Sequence, residues 1–236
     1  MSPNPESFLS HLQTEGYHPR SDKHSNALAR AIVVDLIANC AHIQKKAAAG
    51  ELVFDLNFPL LAGTAEWNVD LVFGPPQLGI SAPPTTESIV QHRPSRVEIA
   101  IEIKSVMTEH RKAIKNRKRD LEAHHEHVHN YDDQAIAGGV IVINASDTFK
   151  SPLRPASTAH KNATKLVEHC IAELRSVSHR GGVKGYGLEA RCAIVVSVDN
   201  VNHLSGKYVN DIPPVGDPLQ YDAFVRAICE SYSRRF

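Results

Sequence analysis

Residues 97–119 read VEIAIEIKSVMTEHRKAIKNRKR, and the parsing of this stretch decides the fold. Val97, Ile99, Ile101 and Ile103 alternate with Glu98, Ala100, Glu102 and Lys104. A period of two belongs to a β-strand, whose successive side chains point to opposite faces. One face is β-branched and apolar. The other carries two carboxylates and a lysine. Burying unpaired charge is costly, so an ordinary core strand does not account for that second face. A helix-length segment follows at once, with Arg111, Lys112, Lys115, Arg117, Lys118 and Arg119. A strand that closes on Glu-x-Lys therefore feeds a strongly basic helix.

Upstream, Trp67, Val69, Leu71 and Phe73 alternate with Asn68, Asp70 and Val72, which predicts a strand with Asp70 on its less apolar face. Leu52–Phe58 predicts another, ending at Pro59, with a turn through Gly63 between them. Pro75-Pro76, Gly79 and Pro83-Pro84 mark a long non-helical connection, of the kind that often carries function. A helix capped by Ser25 or Asn26 is expected to run to about Lys46, burying Leu28, Ile32, Leu36, Cys40 and Ile43. Residues 1–24 read as an N-terminal arm with a short helix near Phe8–Leu12. Downstream, Val140–Ile143 is a continuously apolar run, as in a strand covered on both sides. His160–Val177 is amphipathic, Cys192–Val198 is another buried strand, and a helix from about Leu219 to Ser233 closes the chain. The order α-β-β-β-α-β-α-β-α predicts an α/β fold: one central mixed β-sheet flanked by helices on both faces. No repeat or domain boundary interrupts 1–236. Residues 26–145 form the core of the reading, and 146–236 complete the sheet and helices.

The chain has 236 residues with 26 basic and 26 acidic side chains, so net charge does not advertise a polyanion partner. Any such partner must meet locally concentrated charge, which 111–119 supplies. Cys40, Cys170, Cys192 and Cys229 form no CxxC and sit in apolar patterns. They are expected to be reduced residues of a cytoplasmic protein. No apolar run approaches a membrane span. There is no GxGxxG or Walker loop, so no nucleotide cofactor is indicated.

The chemistry lies with the carboxylates. Asp70 and Glu102 both fall near strand ends on polar faces. If the strands are neighbours, the two can share a hard cation such as magnesium, which needs only one or two carboxylates beside water and substrate phosphate. Lys104, roughly 6.6 Å further along the same face, can hold or help deprotonate a water, or steady charge on a phosphorus centre. Glu98 and Asp35 are further carboxylates available to a second cation, Asp35 also reading as a boundary residue of its helix.

Asp70, then Glu102-Ile103-Lys104 on a following strand, then a helix, resembles the PD-(D/E)xK nuclease superfamily, the restriction-endonuclease-like fold. The resemblance spans roughly residues 26–145. It implies that Asp70 and Glu102 ligate magnesium, for which manganese can substitute, and that Lys104 belongs to the water-activating group. It also implies an acid on the first helix, here Asp35. Val69 stands where the motif has its proline, and the Pro-rich loop makes the Asp70–Glu102 separation long. The implied activity is hydrolysis of phosphodiesters in double-stranded DNA by a restriction-type endonuclease, commonly a homodimer in which each subunit cuts one strand.

The basic helix supports a DNA contact. Arg111, Lys112, Lys115, Lys118 and Arg119 include like-charged i,i+3 and i,i+4 neighbours, which weaken a helix unless an anion is near. The alternative is a solvated face. With Arg117, Arg180 and Lys184, these bases are candidates for phosphate contact and not for base reading. His124, His125, His127 and His129 lack the spacing of a zinc site and read as a polar helix end; Tyr131 and Gln134 are weaker candidates to face the site. A different class of function stays open: a non-catalytic nucleic-acid-binding or assembly subunit with a nuclease-like fold, which would not need Asp70, Glu102 and Lys104.

Overall fold

In the computed structural model, residues 5–62, 65–78 and 89–236 are described. The elements are α1 (Glu6–Glu15), α2 (Lys23–Asn39), α3 (Ala41–Ala48), β1 (Val53–Ala62), β2 (Ala65–Gly74), β3 (Val90–Gln91), β4 (Ile99–Val106), α4 (His110–Tyr131), β5 (Ile136–Asn144), β6 (Thr148–Phe149), β7 (Thr158–Ala159), α5 (Ala163–Arg175), β8 (Ala190–Ser197), β9 (Lys207–Tyr208) and α6 (Tyr221–Arg235). Seven strands form one mixed sheet in the order β3-β1-β2-β4-β5-β8-β9, and β6 and β7 pair separately. The expected α/β architecture is present. β4, β5 and β8 run parallel, so each step between them needs a crossover, and α4 and α5 supply it. Every residue of β5 is buried, as a strand covered on both faces should be. The turn at Gly63 and the loop from Gly79 to Pro84 lie wholly or mainly outside the described residues.

Helices cover both faces. The first layer packs Leu28, Ile32, Phe224 and Ile228 of α2 and α6 against Ile99, Ile101 and Ile103 of β4. The second packs Ile114, Leu121, Val128, Val167 and Leu174 of α4 and α5 against Ala100, Ala137 and Ile141. The helix expected over 26–46 is instead two helices. Cys40 is extended, and α2 and α3 meet at a 99° bend. The bend keeps Ile43 and Ala47 in the core, so the apolar stripe survives although the helix does not. Pro59 does not end β1, which continues to Ala62. Among the described residues no single helix is long and apolar enough to cross a membrane.

Two irregularities shape the sheet. Asn57 has φ 51°, a left-handed conformation that asparagine tolerates better than most residues. Before it, Phe54 and Leu56 pack into the first layer. After it, Phe58 and Leu60 pack into the second. The β1–β2 hairpin thus changes face opposite Asp70. In addition, β2 and β4 pair only through Leu71–Ile101, Val72–Ala100 and Phe73–Ile99. Beyond those pairs β2 stays with β1, while β4 continues to Val106 beside β5. The two strands splay, and the gap opens at residues 70 and 102–104.

Candidate active site

Splaying leaves the backbone N–H of Ile103 without a strand partner, and an unpaired buried N–H is expensive. The Asp70 carboxylate replaces the missing strand, accepting that N–H at 2.7 Å through Oδ2. Lys104 Nζ lies 3.4 Å from the same oxygen and also pairs with Glu102 Oε1. Glu102 and Lys104 are two residues apart and so share the α4 side of the sheet. The structure thereby brings Asp70, Glu102 and Lys104 together, as the sequence predicts. The three differ in access: Glu102 is 1% exposed, Asp70 14% and Lys104 22%.

The second Glu102 oxygen, Oε2, is buried and has no hydrogen-bond partner among the described residues. Facing it at 3.9 Å is Nδ1 of His124, itself buried and unpartnered. His124 Nε2 lies 3.3 Å from the Ala100 carbonyl, an arrangement in which Nε2 carries the proton and Nδ1 turns its lone pair to Glu102. Burial pushes His124 down to about 3, so the ring is neutral at pH 7. Burial pushes the Glu102 carboxyl up to about 8, and the negative charge of Asp70 adds to this, while Lys104 opposes both. Burial also works against the charge on Lys104. The Glu102 and Asp70 carboxylates outweigh it and hold the ammonium above its ordinary value.

The other predicted carboxylates go elsewhere. Glu98 precedes β4 and is buried. It accepts hydrogen bonds from Arg96 at 2.8 Å and Tyr232 at 2.7 Å, so it turns to the α6 side of the sheet and not to the α4 side that carries Glu102. Asp35 accepts from Tyr221 Oη at 2.8 Å, between α2 and α6, on the face of the sheet opposite His124. Neither stands with Asp70 and Glu102. The polar face of β4 is covered by α4.

Along α4, Arg111, Lys112, Lys115 and Arg119 are exposed. Arg117 pairs with Asp120 at 2.7 Å, and Lys118 with Glu122 and Glu173 at 3.9 and 3.7 Å. The basic helix therefore divides into four open bases and two engaged ones. Asp120 also adds its charge to the field at Glu102 and Lys104.

Arg180, expected to reach phosphate, is buried. It joins a second polar cluster at the other end of the sheet. Glu189 Oε1 accepts from Arg180 at 3.2 Å and Arg235 at 2.8 Å, and Oε2 accepts the Ala137 N–H at 2.8 Å. His129 lies against Arg180 at 2.6 Å and reaches the Gly187 carbonyl at 2.9 Å. Gln134 is at this end too, its carbonyl 3.2 Å from Arg235. So the histidine run is no polar helix end: His124, His125 and His129 are all buried, and His127 stacks on Trp67. His124 is the site residue that sequence reasoning missed. Its signal was the spacing Ile114, Leu121, Val128, which is a buried stripe with His124 and His125 inside it.

Does the donor set suit a metal ion? Among the described residues no group of three or more His, Cys, Asp and Glu side chains is disposed to hold one. Two hard carboxylates are present, one with an unsatisfied buried oxygen. A cation here would complete its shell with water and substrate oxygens, which is the habit of magnesium. The residues fit that ion. No family model, curated protein or solved structure matches the chain.

Proposed function

We propose that this chain is a magnesium-dependent nuclease that hydrolyses phosphodiester bonds of double-stranded DNA, with a PD-(D/E)xK type of site in Asp70, Glu102 and Lys104. The observation that carries the reading is the splay of β2 from β4. It sets two carboxylates and an ammonium at one gap, and leaves Glu102 Oε2 buried with no acceptor duty performed. A fold spends little stability on a carboxylate in that condition unless something else occupies it.

Asp70 and Glu102 would hold the magnesium, which when bound supplies charge stabilisation at the phosphate and a more acidic water. The protein's own groups do the rest. Asp70 is held by the Ile103 N–H, so its carboxylate is fixed in direction before substrate arrives. Lys104 stays charged, and its ammonium would orient a water or steady the oxygens of the phosphorus centre. His124, neutral and wedged under Glu102, excludes water from the back of the site. The open bases of α4 would take the flanking phosphates. Four unpaired cysteines suit work in the cytoplasm, where thiols stay reduced.

The test is incubation of the purified chain with plasmid and long phage DNA, modified and unmodified, in magnesium and in EDTA, beside Glu102→Gln. Magnesium-dependent cutting that disappears in the variant is the expected result, and discrete bands would mark sequence specificity. A wild-type chain that binds DNA, never cuts it and is unaffected by the substitution would sink the proposal.

A further inference from the structure

The open edge of β4 does not end at Lys104. Ser105, the next residue, forms one wall of a cleft of about 230 Å³. Lys112, Asn116 and Arg117 on the first turns of α4 form the facing wall, with Thr108 at the floor between strand and helix. Tyr17 of the N-terminal arm closes the third side.

The cleft is a built feature. Tyr17 is stacked on His24 with ring centroids 4.6 Å apart, and its backbone is clamped to Asn200 by bonds of 2.6 and 3.0 Å. That wall cannot easily swing away. The lining is rich in donors, with three hydroxyls, an amide, an ammonium and a guanidinium against one carboxylate, that of Glu109. The acids nearby are already occupied. Glu109 pairs with Arg154 at 2.8 Å, and Asp120 with Arg117 at 2.7 Å. Lys112 makes no salt bridge among the described residues; the acid whose charge it feels, Glu109, is already paired with Arg154. Arg117 Nε is buried without an acceptor among the described residues. Donors in excess over acceptors, with one cation unpaired, make a site for an anion.

Its position says which anion. Ser105 directly follows Lys104 in β4, so the cleft adjoins the gap that holds Asp70, Glu102 and Lys104, where the phosphate beside a bound scissile one would fall. Arg117 links the two places, since its partner Asp120 lies in the field of Glu102 and Lys104. Resting on the nuclease reading, we infer that this cleft is a phosphate subsite for the strand being cut. It takes the phosphate next to the scissile one, with Lys112 and Asn116 as its principal donors. It sets the register of the strand and takes no part in bond breaking.

The experiment has two arms, on wild type, Lys112→Ala, Asn116→Ala and the remote control Lys45→Ala, an exposed residue of α3. In the first, deoxyadenosine monophosphate is titrated without metal and backbone amide shifts are followed. Ser105, Thr108 and Asn116 should move in wild type and in the control, and Lys112→Ala should weaken the response about tenfold, as loss of a charge-assisted bond implies. In the second, duplexes carrying one methylphosphonate, walked linkage by linkage past the cut, are cleaved. One linkage beside the cut should slow wild type about tenfold, mainly through KM, and the two cleft variants should be indifferent to it. Cutting with variants as sensitive as wild type would overturn the subsite and leave the nuclease standing. Phosphate shifts in the cleft with no cutting on any DNA would remove the nuclease and leave the anion site. No shift at Ser105, Thr108 or Asn116 would overturn the subsite.

Discussion

Two glutamates in this protein are equally buried, at 1% exposure, and both are served by α4. Glu189 meets His129 and Glu102 meets His124. Around Glu189 every oxygen is used: Ala137 donates to one, Arg180 and Arg235 to the other. Around Glu102 one oxygen meets Lys104, a second acid stands beside that lysine, and among the described residues Oε2 meets only the lone pair of a neutral ring. Burial raises both carboxyls. At Glu189 the Ala137 hydrogen bond and the two arginines pull back against it. At Glu102 the Asp70 carboxylate pushes the same way as burial. One cluster is closed and satisfied, so it fastens the β5–β8 end of the sheet to α4 and α6. The other is open and unsatisfied, which is what a site awaiting a cation and a phosphate requires.

The contrast can be broken at either glutamate. The largest stability effect is expected from Glu189→Ala, which leaves two arginines buried without their acid. It should cost roughly 3–5 kcal/mol in urea denaturation. Glu102→Gln should instead fold as well as wild type or better, while losing at least about 100-fold in DNA cleavage, the rate equivalent of roughly 2.7 kcal/mol. If the two substitutions behave alike, the distinction between a fastening and a site is wrong.

Asp70 sharpens the comparison because it serves both purposes. Asp70→Ala strands the Ile103 N–H and should destabilise the chain by about 1–3 kcal/mol. Asp70→Asn can keep the acceptor, and should spare stability while still abolishing cleavage.

Next comes pH. A folded-state carboxyl raised from 4.5 to about 8 means that the folded chain holds this proton more tightly than the unfolded one. The resulting stability is complete below 4.5 and is lost as pH rises to about 8, at no more than about 1.4 kcal/mol per pH unit. Subtracting the Glu102→Gln denaturation curve from the wild-type curve should expose this slope in metal-free buffer. Added magnesium should raise the wild-type Tm most at the alkaline end, where Glu102 is ionised, and do little in the variant. A flat difference curve would remove Glu102 as the titrating group.

The smallest effects belong to α4. Removing any one of Arg111, Lys115 or Arg119 should lower the slope of log affinity against log salt by about 0.9, whereas Lys118→Ala, already committed to Glu122 and Glu173, should change it less. Equal changes at all four positions would mean that the ion pairs open on binding.

Much of this was legible in the residues. Alternation at 97–103 and 67–73 marks strands because a pleat turns each neighbour to the other face. The stripe from Leu28 to Ile43 marks a buried helical face, and the five main strands and the closing helix follow in the expected order. Asp70, Glu102 and Lys104 are named by residue type and place in their strands. What spacing could not convey is depth. Glu98 and Glu102 share a parity in sequence, yet Tyr232 and Arg96 claim the first, and the gap between β2 and β4 frees the second. Arg180 stands in a glycine-rich loop that looks solvated, but its side chain turns inward to Glu189.

So the sequence by itself determined the strand and helix periods, the mixed sheet and the three chemical groups. These depend on local alternation and on residue type. Only the tertiary structure decided which carboxylates meet. It bent the leading helix at Cys40, turned the β1–β2 hairpin over at Asn57 and splayed β2 from β4. It also set His124 beneath Glu102, more than twenty residues along the chain. Long-range packing sets those distances, and a charge is worth what its surroundings leave unsatisfied.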